Sequence, residues 1–290
     1  MKSRKSEVKY SGSRKSCQSS VGLANEPVNT EKNVGTSKLK GFLSSLEKDN
    51  WLIYSLNRML QKQNEASVPR PSGNFSPSYC HEDARVIYLN FLGLVKFDIP
   101  PRLRMIFDHG NKLHDQYTNY FSRMGILISS EKTISISDPP IRGRMDAVIR
   151  GVNDNLEYIV EIKSISSSQY KLLKNKPKPD HLVQWNLYSY ITGIPRGHIF
   201  YIIKDDTIEP KALLVKRDDK IIDETLNKLN YVYRCVNLKK VPVRCDSCIK
   251  SCSYHKECDK LDKEMQVLEN NDIGEHEFGN KKCVNPKETG

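Results

Sequence analysis

No run of eighteen apolar residues occurs in the chain, so no membrane span is expected. The first lysines are followed by no apolar stretch, which argues against a secretory signal. Residues 1–40 are basic and serine-rich, as mitochondrial transit peptides are, but lysine outnumbers arginine there and no amphipathic stripe is visible. An acidic excess is also missing. The 46 Lys and Arg against 35 Asp and Glu leave a formal charge of +11, and with 14 tyrosines spread along the chain this favours an anionic partner such as nucleic acid over an acidic small molecule. There is no internal repeat. Eight cysteines in a chain without an export signal point to a reducing compartment, and to metal or cluster ligation more than to disulfides. The Lys-, Asn- and Ile-leaning composition adds the expectation of a cytoplasmic protein of a prokaryotic cell or a virus-infected host cell.

What is present divides the 290 residues into four stretches, with ample length for one sizeable core. Residues 1–38 have few apolar positions and read as a basic flexible tail, whose positive excess would add non-specific affinity for DNA. In 39–67, Phe42, Leu46, Leu52, Leu56, Met59 and Leu60 return at helical spacing and predict one or two amphipathic packing helices. Residues 68–260 form the main domain. It opens on a Pro-, Ser- and Gly-rich connector and continues into a helix expected from near Ser78 to Gly93, with Cys80 in its first turn. Pro100 and Pro101 then start a long helix, Arg102 to Phe121, carrying His109, Gly110 and His114. Residues 261–290, with seven acids against four bases, read as a polar C-terminal tail.

The stretch from Ile141 to Ser164 holds the chemistry. MDAVI and YIVEIK, separated by a polar turn from Gly151 to Asn155, predict a β-hairpin with Asp146 on one strand and Glu161 and Lys163 on the other. Residues two apart on a strand share a face, so Glu161 and Lys163 project together. Two carboxylates on adjacent strands can hold a divalent cation, and a lysine beside them can orient a water or steady developing negative charge, a combination suited to phosphodiester hydrolysis. After the hairpin come a lysine-rich loop from Lys171 to Lys178, which could grip phosphates or simply be a solvated face, and a helix with Gln184 and Tyr188 one turn apart. The strands HIFYIIK and ALLV and a helix from Lys220 to Tyr233 complete the domain.

Asp146, Glu161-x-Lys163, Gly110-x-x-x-His114 and Gln184-x-x-x-Tyr188, in this order, resemble the motif set of RecB-like nucleases of the PD-(D/E)XK superfamily. The resemblance covers roughly Ser76 to Cys258 and implies an α/β restriction-endonuclease-like core, a central mixed β-sheet flanked by helices, with a C-terminal cysteine cluster. It implies that His114, Asp146, Glu161 and the Ile162 carbonyl bind Mg2+ or Mn2+, that Lys163 is catalytic with the two carboxylates, and that Gln184 and Tyr188 contact DNA. His109 stays unassigned.

Cys80 ahead of the core, with Cys245, Cys248, Cys252 and Cys258 after it, is similar to the CRISPR-associated and AddB-type members, in which one leading and three trailing cysteines hold a [4Fe-4S] iron–sulfur cluster. Five thiols stand here for four positions, and a Zn2+ site made from the last four is the alternative; Cys17, Cys235 and Cys283 lie outside the constellation. The function implied is a metal-dependent DNA exonuclease acting at single-stranded ends in recombination, replication or CRISPR-type processing, with helicase, recombination or CRISPR proteins as partners. The rivals are a structure-specific or restriction-type endonuclease and a non-catalytic DNA-binding assembly subunit.

Overall fold

A computed structural model describes residues 50–65, 71–95, 99–205, 209–245 and 252–271. The expected tail at 1–38, the segment with Phe42 and Leu46, and Cys17, Cys248 and Cys283 lie outside the described residues. The architecture is α/β: a central mixed five-stranded sheet flanked by helices. Its strands are β1 (Leu127–Ser137), β2 (Pro140–Arg150), β3 (Glu157–Ile165), β4 (Arg196–Ile203) and β5 (Lys211–Lys216), in spatial order β1-β2-β3-β4-β5. All neighbours are antiparallel except β3 and β4, which run parallel. A parallel pair needs a crossover. Here it consists of α4 (Ser167–Leu172) and α5 (Pro179–Thr192).

β3 is the middle strand, and its burial explains its sequence. Ile159, Val160, Glu161 and Ile162 are all buried, so the apolar positions do not alternate with polar ones, as expected of a strand covered on both faces. On one face Val160 and Ile162 pack with Phe121, Leu113 and Tyr117 of α3 (Pro101–Arg123). On the other, Ile159 and Ile165 pack with Trp185 and Tyr188 of α5. α5 is itself sandwiched, because its Leu187 joins an outer core with Ile87 and Leu89 of α2 (Ala84–Phe91), Leu229 and Val232 of α6 (Asp219–Asn237), and Leu261 of α7 (His255–Asn271). A helix buried all round shows no single apolar stripe.

Four observations differ from the sequence expectations. The helix expected from Ser78 is two elements: a 3-10 turn, Pro77–Tyr79, with Cys80 closing it, and α2, whose N-cap Asp83 is extended at φ −64 and ψ 153. β1 was not anticipated, because this edge strand is exposed along most of its length and its serines and charges mask the alternation around Ile134. α1 (Trp51–Glu65) buries Leu60 but leaves Trp51, Leu52, Ile53, Tyr54 and Met59 exposed, so it packs by one residue rather than by its apolar set. α7 runs past residue 261, with Leu261 buried and Asp262 bonded to the buried Arg85, where a polar tail was expected. No described helix is long and apolar enough to cross a membrane.

The contact of α5 with the sheet depends on Gly197. A Cβ there would lie 2.0 Å from the Ile159 carbonyl oxygen and 2.8 Å from Trp185 Nε1, the indole nitrogen that donates to that same oxygen at 3.3 Å. The first clash is with backbone, which cannot rotate away. Gly197→Ala is therefore expected to destabilise the protein by about 1–3 kcal/mol, the range for overpacking a filled core, read as a lower urea midpoint at unchanged slope.

Candidate active site

β2 and β3 pair from Arg150–Glu157 to Ala147–Val160, and the ladder stops there. The next backbone donor on β3, the Ile162 N–H, is taken by the Asp146 carboxylate, with Oδ2 accepting at 2.7 Å. A side chain thus replaces the strand partner at the point where β2 leaves β3. Core membership along β2 fits this break in regularity: Met145 and Val148 both join the α5-side core while Ala147 joins the α3 side. Glu131 falls opposite the break, between the pairs Ser130–Ala147 and Lys132–Met145, and has a positive φ of 52.

Asp146 meets His114 on the α3 side, Oδ1 lying 3.4 Å from Nδ1. The approach of α3 depends on Gly110, one turn earlier, where a Cβ would stand 3.1 Å from Ser164 Oγ on β3. His109, the other histidine of this helix, is exposed. Burial alone would lower the His114 pKa; the hydrogen bond to Asp146 and its charge outweigh that and raise it.

Glu161 projects to the opposite side, toward α5, and is 2% exposed. Its Oε1 lies 2.8 Å from Lys163 Nζ and accepts from Gln184 Nε2 at 2.7 Å. Lys163 also donates to Gln184 Oε1 at 2.8 Å, and Gln184 Nε2 donates to the Tyr188 hydroxyl at 3.0 Å. The Tyr188 hydroxyl in turn donates to the Arg144 carbonyl oxygen at 3.0 Å. The amide of Gln184 therefore has its oxygen toward the ammonium and its nitrogen toward the two acceptors, an arrangement that only one amide orientation satisfies. Gln184 and Tyr188 are buried, and their polar atoms are engaged in aligning the acid–lysine pair.

The electrostatics follow from burial. Loss of water and the nearby Asp146 charge push the Glu161 carboxyl up to about 7, against the pull of Lys163. Burial draws the Lys163 ammonium down, but Glu161 beside it outweighs this and holds it above the ordinary lysine value. Glu161 Oε2 is buried and has no hydrogen-bond partner among the described residues. Such an atom is costly unless something positive completes it.

Among the described residues no three His, Cys, Asp or Glu side chains form a ready metal site; His114, Asp146 and Glu161 are brought to one locus but meet in pairs and through the backbone. Ile162 contributes its N–H to this locus. The cysteines gather less tightly. Cys80 and Cys258 are buried in the same outer core, Cys245 and Cys252 are half-buried, and burial pushes the Cys80 thiol up to about 12, with Sγ donating to the Ser76 carbonyl at 3.2 Å.

Two residues of this region were not anticipated from the sequence. The Tyr201 hydroxyl, on β4 beside Lys163 in the parallel register, accepts from the Lys178 N–H at 3.0 Å and meets His181 Nδ1 at 2.9 Å, fixing the start of α5. His181 precedes Gln184 by three residues, a one-turn spacing that marks a shared helix face.

No protein-family model matches the sequence, and no curated protein matches it. Among solved structures, the chain is similar to an alkaline exonuclease from Laribacter hongkongensis, at 14% identity over 68% of this chain and 96% of that one, with a TM-score of 0.44. It is also similar to a phage-related exonuclease from Haemophilus somnus 129PT, at 12% identity over 61% of this chain and 99% of that one, with a TM-score of 0.39.

The hydroxyl of Tyr188 links Gln184 to the Arg144 carbonyl inside the core. Tyr188→Phe leaves a buried amide hydrogen and a carbonyl short of partners, and is expected to cost about 1–3 kcal/mol of stability, measured by urea unfolding against the wild type.

Proposed function

We propose that this chain is a divalent-metal-dependent deoxyribonuclease of the RecB-like exonuclease kind, hydrolysing phosphodiester bonds at single-stranded DNA ends and leaving 5′-phosphates. The observation behind this reading is Glu161: a fully buried carboxylate, one oxygen engaged by Lys163 and Gln184 and the other without a partner, beside the carboxylate of Asp146. Asp146, half-buried, is paired with His114, and Glu161, fully buried, with Lys163, which leaves one buried carboxylate oxygen uncompensated. A hard cation that accepts oxygen and imidazole ligands would balance it.

The donor set fits Mg2+ or Mn2+, with Asp146, Glu161, His114 and the Ile162 carbonyl as the groups that would hold the ion. When bound, such an ion lowers the pKa of water and neutralises charge on phosphate oxygens. Lys163, fixed between Glu161 and Gln184, presents an ammonium to the attacking water and to the negative charge that grows on the phosphate as water adds to phosphorus and the bond to the 3′-oxygen breaks. The proton released by the water ends on that 3′-oxygen. Gln184 and Tyr188 position Lys163 from behind. Recombination, replication or CRISPR-type processing, with the corresponding helicase or recombination partners, is the setting.

The cysteines are assigned to a [4Fe-4S] cluster, on the support that Cys80 and Cys258, 178 positions apart in the chain, lie in one buried core, which also takes in Cys235, while Cys245 and Cys252 are half-buried. The cluster would pin the two ends of the domain together and contribute to folding.

Lys163→Ala is expected to abolish Mg2+- or Mn2+-dependent degradation of end-labelled single-stranded DNA while binding, measured by anisotropy, stays within about threefold, which is under 1 kcal/mol. Undiminished cleavage by that variant would sink the active-site assignment, and binding without cleavage by the wild type would favour an assembly subunit. Protein purified without oxygen is expected to be brown with broad visible absorbance. A colourless preparation with stoichiometric zinc would replace the cluster with a zinc site.

A further inference from the structure

The lysines from the last turn of α4 to the start of α5 have no role in the chemistry above. Lys171, Lys174, Lys176 and Lys178 fall within eight positions, the first three are exposed, and none makes an ion pair with an acid among the described residues. The segment is nevertheless well fixed. Leu173 is buried in the sheet–α5 core, the Lys176 N–H returns to the Leu173 carbonyl at 2.7 Å, and Asn175 Oδ1 accepts from Lys211, whose ammonium also sits over the Tyr170 ring at 5.6 Å.

The backbone conformation is specific as well. Leu173 is right-handed helical, and Lys174 and Asn175 follow with φ of 42 and 63, a region that costs a lysine energy unless its surroundings impose it. A right-handed residue followed by left-handed ones turns successive N–H groups toward one concavity, a known anion-binding shape. The N–H groups of Lys174 and Asn175 find no acceptor among the described residues.

The segment also ends beside the site. Lys178 precedes α5 directly, and its N–H is held by Tyr201, the register partner of Lys163. His181, three residues on, meets the same Tyr201 hydroxyl at 2.9 Å, so the start of α5 is fastened beside Lys163.

We infer that residues 171–178 form a phosphate-gripping strap that holds the DNA strand next to the bond being cut, with Lys171, Lys174 and Lys176 and the N–H groups at 174 and 175 contacting successive backbone phosphates. This rests on the nuclease reading, and it names the substrate feature that the rim of that site recognises: the sugar–phosphate backbone of a single strand, independent of base identity.

The test uses the full chain and a fluorescent oligothymidylate, with anisotropy in EDTA at several KCl concentrations and steady-state cleavage with Mn2+. Replacing Lys171, Lys174 and Lys176 together by Gln is expected to lower the slope of log binding constant against log salt by about two, at about 0.7 per single-strand phosphate. It should also raise KM about tenfold or more at near-physiological salt, a smaller loss than the salt sensitivity of six to ten phosphate contacts, with kcat within about twofold. Arginine at the same three positions should restore the slope. A control with Lys216, Lys220 and Lys260 changed to Gln removes the same charge elsewhere and should leave the slope in place. An unchanged slope in the strap variant, or an equal fall in the control, overturns the strap while wild-type cleavage upholds the nuclease reading. A wild type that neither binds nor cuts the oligonucleotide overturns both.

Discussion

A carboxylate without water must be surrounded by partners, and the site is built around that requirement at Glu161. Removing such a charge from solvent costs several kcal/mol even after relaxation, so the neighbours have to be placed accurately. One comes from its own strand: Lys163, two residues on, shares its face. The other comes from α5, where Gln184 offers its nitrogen to Glu161 and its oxygen to Lys163. Any rotation of α5 about its axis would break both bonds together. The position of the acid–lysine pair is therefore a property of how α5 sits on the sheet, which the close approach of Gly197, Trp185 and the Ile159 carbonyl determines.

The other half of the site is set from the opposite face of the same strand. α3 lies against Val160 and Ile162, brought close at Gly110, and delivers His114 to Asp146. Asp146 in turn holds the Ile162 N–H where β2 has left the ladder. Two packing surfaces, one above and one below β3, thus converge on three consecutive residues, Glu161 to Lys163. This is why a sheet covered on both faces suits the chemistry: the strand that bears the charges is held from two directions, with no loop between scaffold and site.

Much of this was legible in the sequence, for reasons particular to each element. The hairpin announced itself by two apolar runs around a polar turn, and the long helix after Pro100 by its proline start and its period. Asp146, Glu161, Lys163, His114, Gln184 and Tyr188 are named by strand or helix spacing together with the RecB-like resemblance, and the fold sets them in two groups on the two faces of β3, Asp146 with His114 and Glu161 with Lys163, Gln184 and Tyr188, joined through the Ile162 N–H. Burial was harder to anticipate. Gln184 and Tyr188 are amphipathic side chains whose spacing is the same whether they face solvent or core, and only the sheet packing makes them inward supports. β1 escaped notice because an edge strand needs no apolar face. Tyr201 and His181 escaped because their pairing joins β4 to α5 across 20 residues of sequence separation, which no local pattern encodes.

The outer layer closes the structure in a way that bears on the site. α5 cannot be held by the sheet alone, since half its surface points away from it, and that half is covered by α2, α6 and α7 through Leu187. α7 is attached by a buried arginine: Arg85 bonds the Pro242 carbonyl and Asp262, and Arg244 bonds the second oxygen of the same aspartate. Residues near positions 85, 242 and 262 are therefore joined by hydrogen bonds directed at groups that would be left as uncompensated charges if α7 moved away. Cys80 and Cys258 lie in this same layer. A group held between them would act first on α7 and on the 3-10 turn that Cys80 closes, which packs on α5 and on β2 through Pro77 and Gly143, so its effect on Lys163 would be that of holding the scaffold in place and not that of a reacting group.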